Sequence, residues 1–499
     1  MAARLEQQRC ALYSYDVRKA HCDTTRRRHF ACTEPDPSFE HSQYSVEFWI
    51  NRALLQGHSW VVPRIDEADL IHIPSNFSRT CVSGRRYAQR MLWDSLSSDK
   101  VLWPNRSGET RAARGLGLKL IPLQYGACPA PWRAPGMPPS EPPDDLLLLV
   151  DKLAPHSKPS AKRHMLVTPF VVSSPPWLVG AAAPPDPPVR WAERRLLFFA
   201  GHIPKLYIST LRYALWRQLR SHPSTTVSSS TLLCTVGAFS VCRRGFPFLR
   251  EQSNAFLTSH CLAFCPRHAG TPQTYKCGAS DRRPAAENLQ HLLRMCSSYA
   301  TINYTAELPL MRRDTRQLNH SEYLRLAMSH RFCLVAPGDF TSTHKISETV
   351  AIGAAGGCLP VLVLPGPARD SAMQAAHMLP YSRWLNWCDL AYFVAESDAR
   401  RGMAAVLRQL EHIGAAEALR KRRALRAVRD AFVFRKGSTV DNPSATEYIL
   451  AEACAAARQH AQEWQMPFAS DALMRCTLPT RLEHFKQHSA GWHGTRGRS

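Results

Sequence analysis

Residues 330–364, HRFCLVAPGDFTSTHKISETVAIGAAGGCLPVLVL, constrain the fold more than any other stretch of this 499-residue chain. The apolar run Phe332-Cys333-Leu334-Val335 reads as a buried strand that Pro337-Gly338 ends. The polar turn from Asp339 to Thr343 supplies hydroxyls suited to a helix cap, with Ser342 or Thr343 in that position. Ile346, Val350 and Gly353 then recur at i, i+4 and i+7, one face of a helix. Gly356-Gly357 stops that helix, and Leu359 to Leu364 reads as a second buried strand. The unit is strand, loop, helix, strand. Its loop lies at the carboxyl end of a strand and the amino end of a helix, where open α/β folds bind phosphorylated ligands.

Two charged residues sharpen that expectation. Lys345 falls in the first helical turn, where the helix dipole disfavours a cation unless an anion is near. Glu348 is one turn on, along the same edge of the helix. A cation for a diphosphate and a carboxylate for ribose hydroxyls suit a nucleotide-sugar site. A solvated surface ion pair explains the same spacing equally well.

The segment resembles the signature of the exostosin-like glycosyltransferases. There a PGD-type turn, a Ser/Thr-rich loop, a basic residue, an acidic residue and a GC-[IL]-PV strand follow one another. The matching positions are Pro337, Gly338, Asp339, Ser342, Thr343, Lys345, Glu348, Gly357, Cys358, Pro360 and Val361. The family usually has Arg where this chain has Lys345, which keeps the charge and loses the two-pronged contact. The resemblance runs from about residue 10 to 450. It takes in Cys10 to Asp16 as the opening strand, Val61 to Pro74 around Glu67-Ala68-Asp69, and the strand and turn Arg195 to Gly201.

This resemblance implies an α/β fold of GT-B architecture, two Rossmann-like domains facing across a cleft. The second domain would hold a nucleotide-sugar donor, a UDP-sugar before a GDP-sugar, and the first a glycan or polysaccharide acceptor. Gly338, Ser342, Thr343, Lys345 and Glu348 would line the donor site. Arg212, on the helix after the Phe199-Ala200-Gly201 turn, reads as a second phosphate contact or as an exposed helix arginine. The family is inverting, so one general base should suffice. Asp69, His72, His202 and Asp339 are the candidates, each weighed first as a structural residue. No DxD-type metal motif occupies a suitable loop, since Asp144-Asp145 lie in a proline-rich stretch. The expectation is catalysis with no metal and no cofactor. The resemblance also implies a type II Golgi membrane protein, whose N-terminal anchor is expected from the family and absent from this chain.

Composition fits two domains. The length exceeds one ordinary domain, and 44% hydrophobic residues can fill sizeable cores. Seventeen of the 37 prolines lie between Pro122 and Pro188, an irregular stretch with short strands such as Met165–Val172. Its end gives the boundary: residues 1–190, then 191–440, then a C-terminal helix and basic tail over 441–499. Helices are expected near Tyr44–Leu55 and Arg85–Ser97, a strand at Leu70–Ile73, and helical structure over Ala399–Phe434, a stretch rich in Ala, Leu and Arg. The apolar run Leu146–Val150 is far too short to span a bilayer.

The net charge of +23 raises nucleic acid as a partner. No zinc-finger spacing, RNA-recognition signature or homeodomain-like pattern accompanies the clusters at Arg26-Arg27-Arg28, Arg312-Arg313 and Arg420 to Arg426, so nucleic acid is not the expected partner. The 16 cysteines, six of them between Cys234 and Cys296, fit disulfides of a secretory lumen better than a zinc site, because Cys261, Cys265 and His268 have the wrong spacing. Cys333 and Cys358, in buried strands, are expected to be packed thiols. Sequons at Asn76, Asn105, Asn303 and Asn319 allow N-glycosylation there. Two rival functions remain: a catalytically inactive GT-B partner of another glycosyltransferase, and a polyanion-binding protein.

Overall fold

A computed structural model describes residues 2–15, 40, 45–74, 102, 118–122, 146–150, 165–172, 175, 177–178, 189–201, 211–229, 318–337, 343–365, 379–458 and 476–478. They form a mixed α/β structure with two parallel sheets. The first has five strands in sequence order: β1 (Leu12–Ser14), β2 (Leu70–His72), β3 (Leu118–Pro122), β4 (Leu146–Val150) and β5 (Met165–Val167). Leu146–Val150 is thus an interior strand, paired on both sides. No helix among the described residues is long and apolar enough to cross a membrane.

The second sheet has six parallel strands. They are β6 (Arg195–Gly201), β7 (Thr225–Ser229), β8 (His330–Val335), β9 (Leu359–Leu364), β10 (Tyr392–Ala395) and β11 (Thr477–Leu478). Their order is β11-β10-β9-β8-β6-β7. The chain therefore runs from β6 outward to β7, then returns to the other side of β6 as β8. That reversal is a topological switch point, and the carboxyl ends of β6 and β8 flank its crevice. Strands β8 and β9 are buried almost throughout because the sheet is covered on both faces, which explains their continuous apolar sequences.

Nine helices are described: α1 (Ala2–Gln7), α2 (Val46–Leu55), α3 (Leu211–Leu219), α4 (His320–Ser329), α5 (His344–Ala354), α6 (Glu396–Arg401), α7 (Ala404–Glu411), α8 (Ala415–Val428) and α9 (Ala445–Arg458). The helical stretch expected over Ala399–Phe434 is divided into α6, α7, α8 and a 3-10 turn, Arg429–Phe432. Gly402 and Gly414 sit at the breaks, and Ala/Leu/Arg-rich sequence on either side hid them. The helix expected near Arg85–Ser97 and the cysteine-rich interval 234–296 lie outside the described residues.

The two sheets are tied together. Helix α9 packs against α1, α2 and β2 of the first unit and against the 3-10 turn 429–432 of the second. A disulfide joins Cys454 of α9 to Cys10, just before β1. Across another part of the junction, the Phe170 amide donates to Ser347 Oγ on α5 at 3.1 Å. Two further bridges, Cys333–Cys358 and Cys388–Cys476, lie within the second unit. The first of these corrects the expectation of packed thiols. Pairing of Cys333 with Pro360 across β8 and β9 carries Cys358 alongside, leaving the two Cα atoms 5.5 Å apart.

The turn after α5 shows why its glycines are needed. Gly356 adopts φ +96°, the Gly356 amide donates to the Gly353 carbonyl, and the Gly357 amide donates to the Ile352 carbonyl at 2.8 Å, a Schellman ending. Gly357 then passes so close to the helix that a Cβ would lie 2.5 Å from Ile352 Cγ2 and 2.7 Å from Met328 Sδ. Gly357→Ala is expected to cost about 1–3 kcal/mol through overpacking, seen as a lower midpoint of chemical denaturation. An unchanged midpoint would refute this packing. In denatured, unreduced protein, alkylation should leave Cys10, Cys333, Cys358, Cys388, Cys454 and Cys476 unlabelled, and labelling of both members of a pair would remove that bridge.

Candidate functional site

The crevice at the switch point is built from three short-range decisions. Helix α5 begins where Thr343, in extended conformation, turns its side chain to accept from the Lys345 amide at 3.4 Å. Thr343 rather than Ser342 is the cap, as one of the two positions the sequence allowed. Helix α4 begins at Asn319, whose side chain accepts from the Glu322 amide while Glu322 returns to the Asn319 amide, a capping box. Helix α3 follows β6 and presents Arg212.

Helices α4 and α5 converge on Glu348. Its side chain is only 5% exposed, and both oxygens are engaged within the protein. Lys345 Nζ donates to Oε2 at 2.5 Å, and His320 Nε2 lies 3.2 Å from Oε1. Lys345 Nζ also sits 3.6 Å above the Tyr323 ring, a cation–π contact. His320 and Tyr323 are stacked on α4. The pair is therefore neither a solvated surface bridge nor an unpartnered cation: it is a partly buried network shared by two helices.

Electrostatics follow from the geometry. Burial by itself would push the Glu348 carboxyl up. The Lys345 ammonium, the His320 hydrogen bond and nearby His344 more than offset this and hold it at about 2. Burial pushes the Tyr323 phenol well above its ordinary value, with adjacent Glu348 acting in the same direction. Burial, then Lys345, lowers the His344 imidazole to about 4, so it is neutral at pH 7.

Arg212 is held at the floor of the crevice. Its Nε donates to the Pro337 carbonyl at 2.8 Å and one terminal nitrogen to the Ala336 carbonyl at 3.0 Å. Burial lowers its pKa to about 10, which leaves it charged at neutral pH. It is thus a cap on the end of β8, not an exposed helix arginine. Its remaining nitrogen lies toward Gly201, where a Cβ would come within 3.6 Å. Arg212, Tyr323, Lys345 and Thr349 border a pocket between β6 and β8 of about 10 Å³, room for a single water.

The other sequence candidates separate clearly. Asp69 precedes β2, at the amino end of the first sheet, and its Oδ2 accepts from the Ala11 amide at 2.9 Å. His72 is fully buried; Asn51 Oδ1 is 2.9 Å from Nε2 and Ser14 Oγ is 3.1 Å from Nδ1. That network fits a neutral ring donating from Nε2 and accepting at Nδ1, and burial lowers its pKa to about 3. Both residues have hydrogen-bond partners within the fold. Gly338, Asp339, Ser342 and His202 lie outside the described residues. His320, Tyr323 and His344 were missed by sequence reasoning. His320 and Tyr323 share one helical face at i, i+3, but nothing local in the sequence aims that face at Glu348. Among the described residues, no group of three or more His, Cys, Asp or Glu side chains could hold a metal ion.

The depressed Glu348 carboxyl makes a signed prediction. Its folded value of about 2 lies below the ordinary 4.5, so the unfolded chain takes up the proton first. The stabilisation is complete above pH 4.5 and is lost as pH falls from there towards 2. Glu348→Gln should flatten the denaturation midpoint against pH within that window; a curve as steep as wild type would contradict the network. No protein-family model matches the chain, and no curated protein matches it.

Proposed function

We propose that the protein is an exostosin-like glycosyltransferase of GT-B architecture, moving a sugar from a nucleotide-sugar donor to a glycan acceptor with inversion and without metal. One observation carries this reading. The exostosin-like segment 330–364 supplies β8, α5 and β9, and its charged pair falls at the switch point where open α/β sheets take ligands. The two-sheet arrangement is compatible with paired Rossmann-like units, one for the acceptor and one for the donor. Three disulfides support an oxidising compartment, consistent with the Golgi placement that the resemblance implies.

In the proposed reaction the acceptor hydroxyl attacks the anomeric carbon from the face opposite the diphosphate. A carbon–oxygen bond to the acceptor forms, the bond to the diphosphate breaks, and the hydroxyl proton passes to a base. The amino end of α5 and Lys345 would stabilise the charge growing on the departing diphosphate. Glu348 would accept from the ribose hydroxyls. Of the four base candidates, His202 directly follows β6 in the sequence and Asp339 comes four residues after the last residue of β8. Asp69 and His72 have structural partners instead. A UDP-sugar is the donor to test before a GDP-sugar.

The mutual pairing of Lys345 with Glu348 favours one alternative. With both groups satisfied internally, the fold has no need of a ligand there, as in a catalytically inactive partner of another glycosyltransferase. A binding and hydrolysis screen over UDP- and GDP-sugars separates the two. Donor hydrolysis by the purified protein supports the enzyme, and binding without turnover supports the partner. Absence of binding removes both.

For the enzyme, Glu348→Ala is expected to weaken donor binding by about 1.5–3 kcal/mol, the worth of a hydrogen bond to a charged group. Lys345→Ala should lower turnover as well as affinity, because the diphosphate charge is greater in the transition state. Lys345→Arg should retain both. Wild-type kinetics in a folded Lys345→Ala protein would detach this residue from the diphosphate.

A further inference from the structure

Helix α4 begins inside a glycosylation sequon, Asn319-His320-Ser321. All three residues are exposed. The Asn319 side chain is not free to rotate, since its Oδ1 accepts from the Glu322 amide at 2.8 Å and closes the capping box. The amide group is planar, so an oxygen turned towards the helix puts Nδ2 on the far side of the group. The atom that would carry a sugar is therefore the one the cap leaves unused, and substitution on it leaves the capping oxygen in place. Of the four sequons, this is the one whose asparagine lies among the described residues.

The neighbourhood gives the position a consequence. His320, the next residue, reaches the Glu348 carboxylate at 3.2 Å, and Tyr323 on the same helix underlies Lys345. A glycan at Asn319 would stand beside the crevice without disturbing the helix that helps build it. We infer that Asn319 is an N-glycosylation site and that its glycan flanks the entrance to the switch-point crevice. The donor is an oligosaccharide carried on a lipid diphosphate. Asn319 Nδ2 attacks its first sugar carbon; the nitrogen–carbon bond forms, the carbon–oxygen bond to the diphosphate breaks, and one amide proton leaves to solvent. The inference rests on the secretory placement proposed above, not on the donor chemistry of the crevice.

The test uses the full chain produced in cultured eukaryotic cells. Enzymatic deglycosylation in heavy-oxygen water converts an occupied asparagine to labelled aspartate, which peptide mass spectrometry locates. Label is expected at position 319 in the wild type and is expected to vanish in Ser321→Ala. That variant deletes the sequon while preserving the Asn319–Glu322 cap, so it should fold and keep its melting temperature. An unlabelled Asn319 in folded, disulfide-bonded wild-type protein overturns the inference, as does label that persists in Ser321→Ala. UDP-sugar binding by the same samples reports on the crevice separately, so either reading can fail while the other stands.

Discussion

A carboxylate withdrawn from water governs the geometry of this protein. Glu348 is charged yet nearly inaccessible, and an isolated carboxylate in that position would be costly or would take up a proton. It remains ionised because Lys345 supplies a cation from its own helix and His320 a ring nitrogen from α4. The requirement is mutual. Lys345 stands in the first turn of α5, where the helix dipole opposes it, and Glu348 together with the Tyr323 ring face offsets that opposition. Satisfying one buried charge thus fixes α4 against α5 on either side of β8, and the crevice is the space these fixed helices border.

The large positive charge has a related explanation within the described residues. Many of its cations end on backbone carbonyls that helices and strands leave unpaired. In the run Arg420 to Arg426, Arg422 donates to Gly357, Arg426 to Ala354, and Lys421 to both Cys388 and Ala391. These contacts secure the end of α5 and the segment before β10. Arg331 does the same for Trp191 and Ala192, and Arg212 for the end of β8. Three of the five cations in that run are accordingly committed to the fold, which weakens a polyanion-binding reading founded on that cluster.

Legibility in the sequence followed the range of the interactions. Strand β9 occupies the span its apolar run indicated, because a parallel strand covered on both faces must be continuously apolar. The start and end of α5 were legible because caps are local: Thr343 before it, Gly356-Gly357 after it. The Lys345–Glu348 pair was legible for the same reason, three residues apart on one helix. His320 was not, since it lies 28 residues from Glu348 and meets it only once α4 and α5 have docked around β8. The Cys333–Cys358 bridge likewise depends on strand register, which neither strand encodes alone. Burial of His72 between Ser14 and Asn51 joins three distant segments, and no spacing rule reveals it.

The same network restricts how a ligand could enter the crevice. If a diphosphate drew Lys345 away, Glu348 would lose its principal counter-charge while still buried, a change of several kcal/mol if nothing replaced it. Two ribose hydroxyls offer neutral donors to the oxygen that Lys345 releases, and His320 can remain on the other. Diphosphate and ribose would then have to arrive as parts of one molecule, since either alone leaves one member of the pair unsatisfied. A bare phosphate supplies a partner for Lys345 and none for Glu348, and a nucleoside does the reverse. Selectivity for an intact nucleoside diphosphate would arise here from the exchange of one buried ion pair for two contacts, with no need for a large preformed cavity.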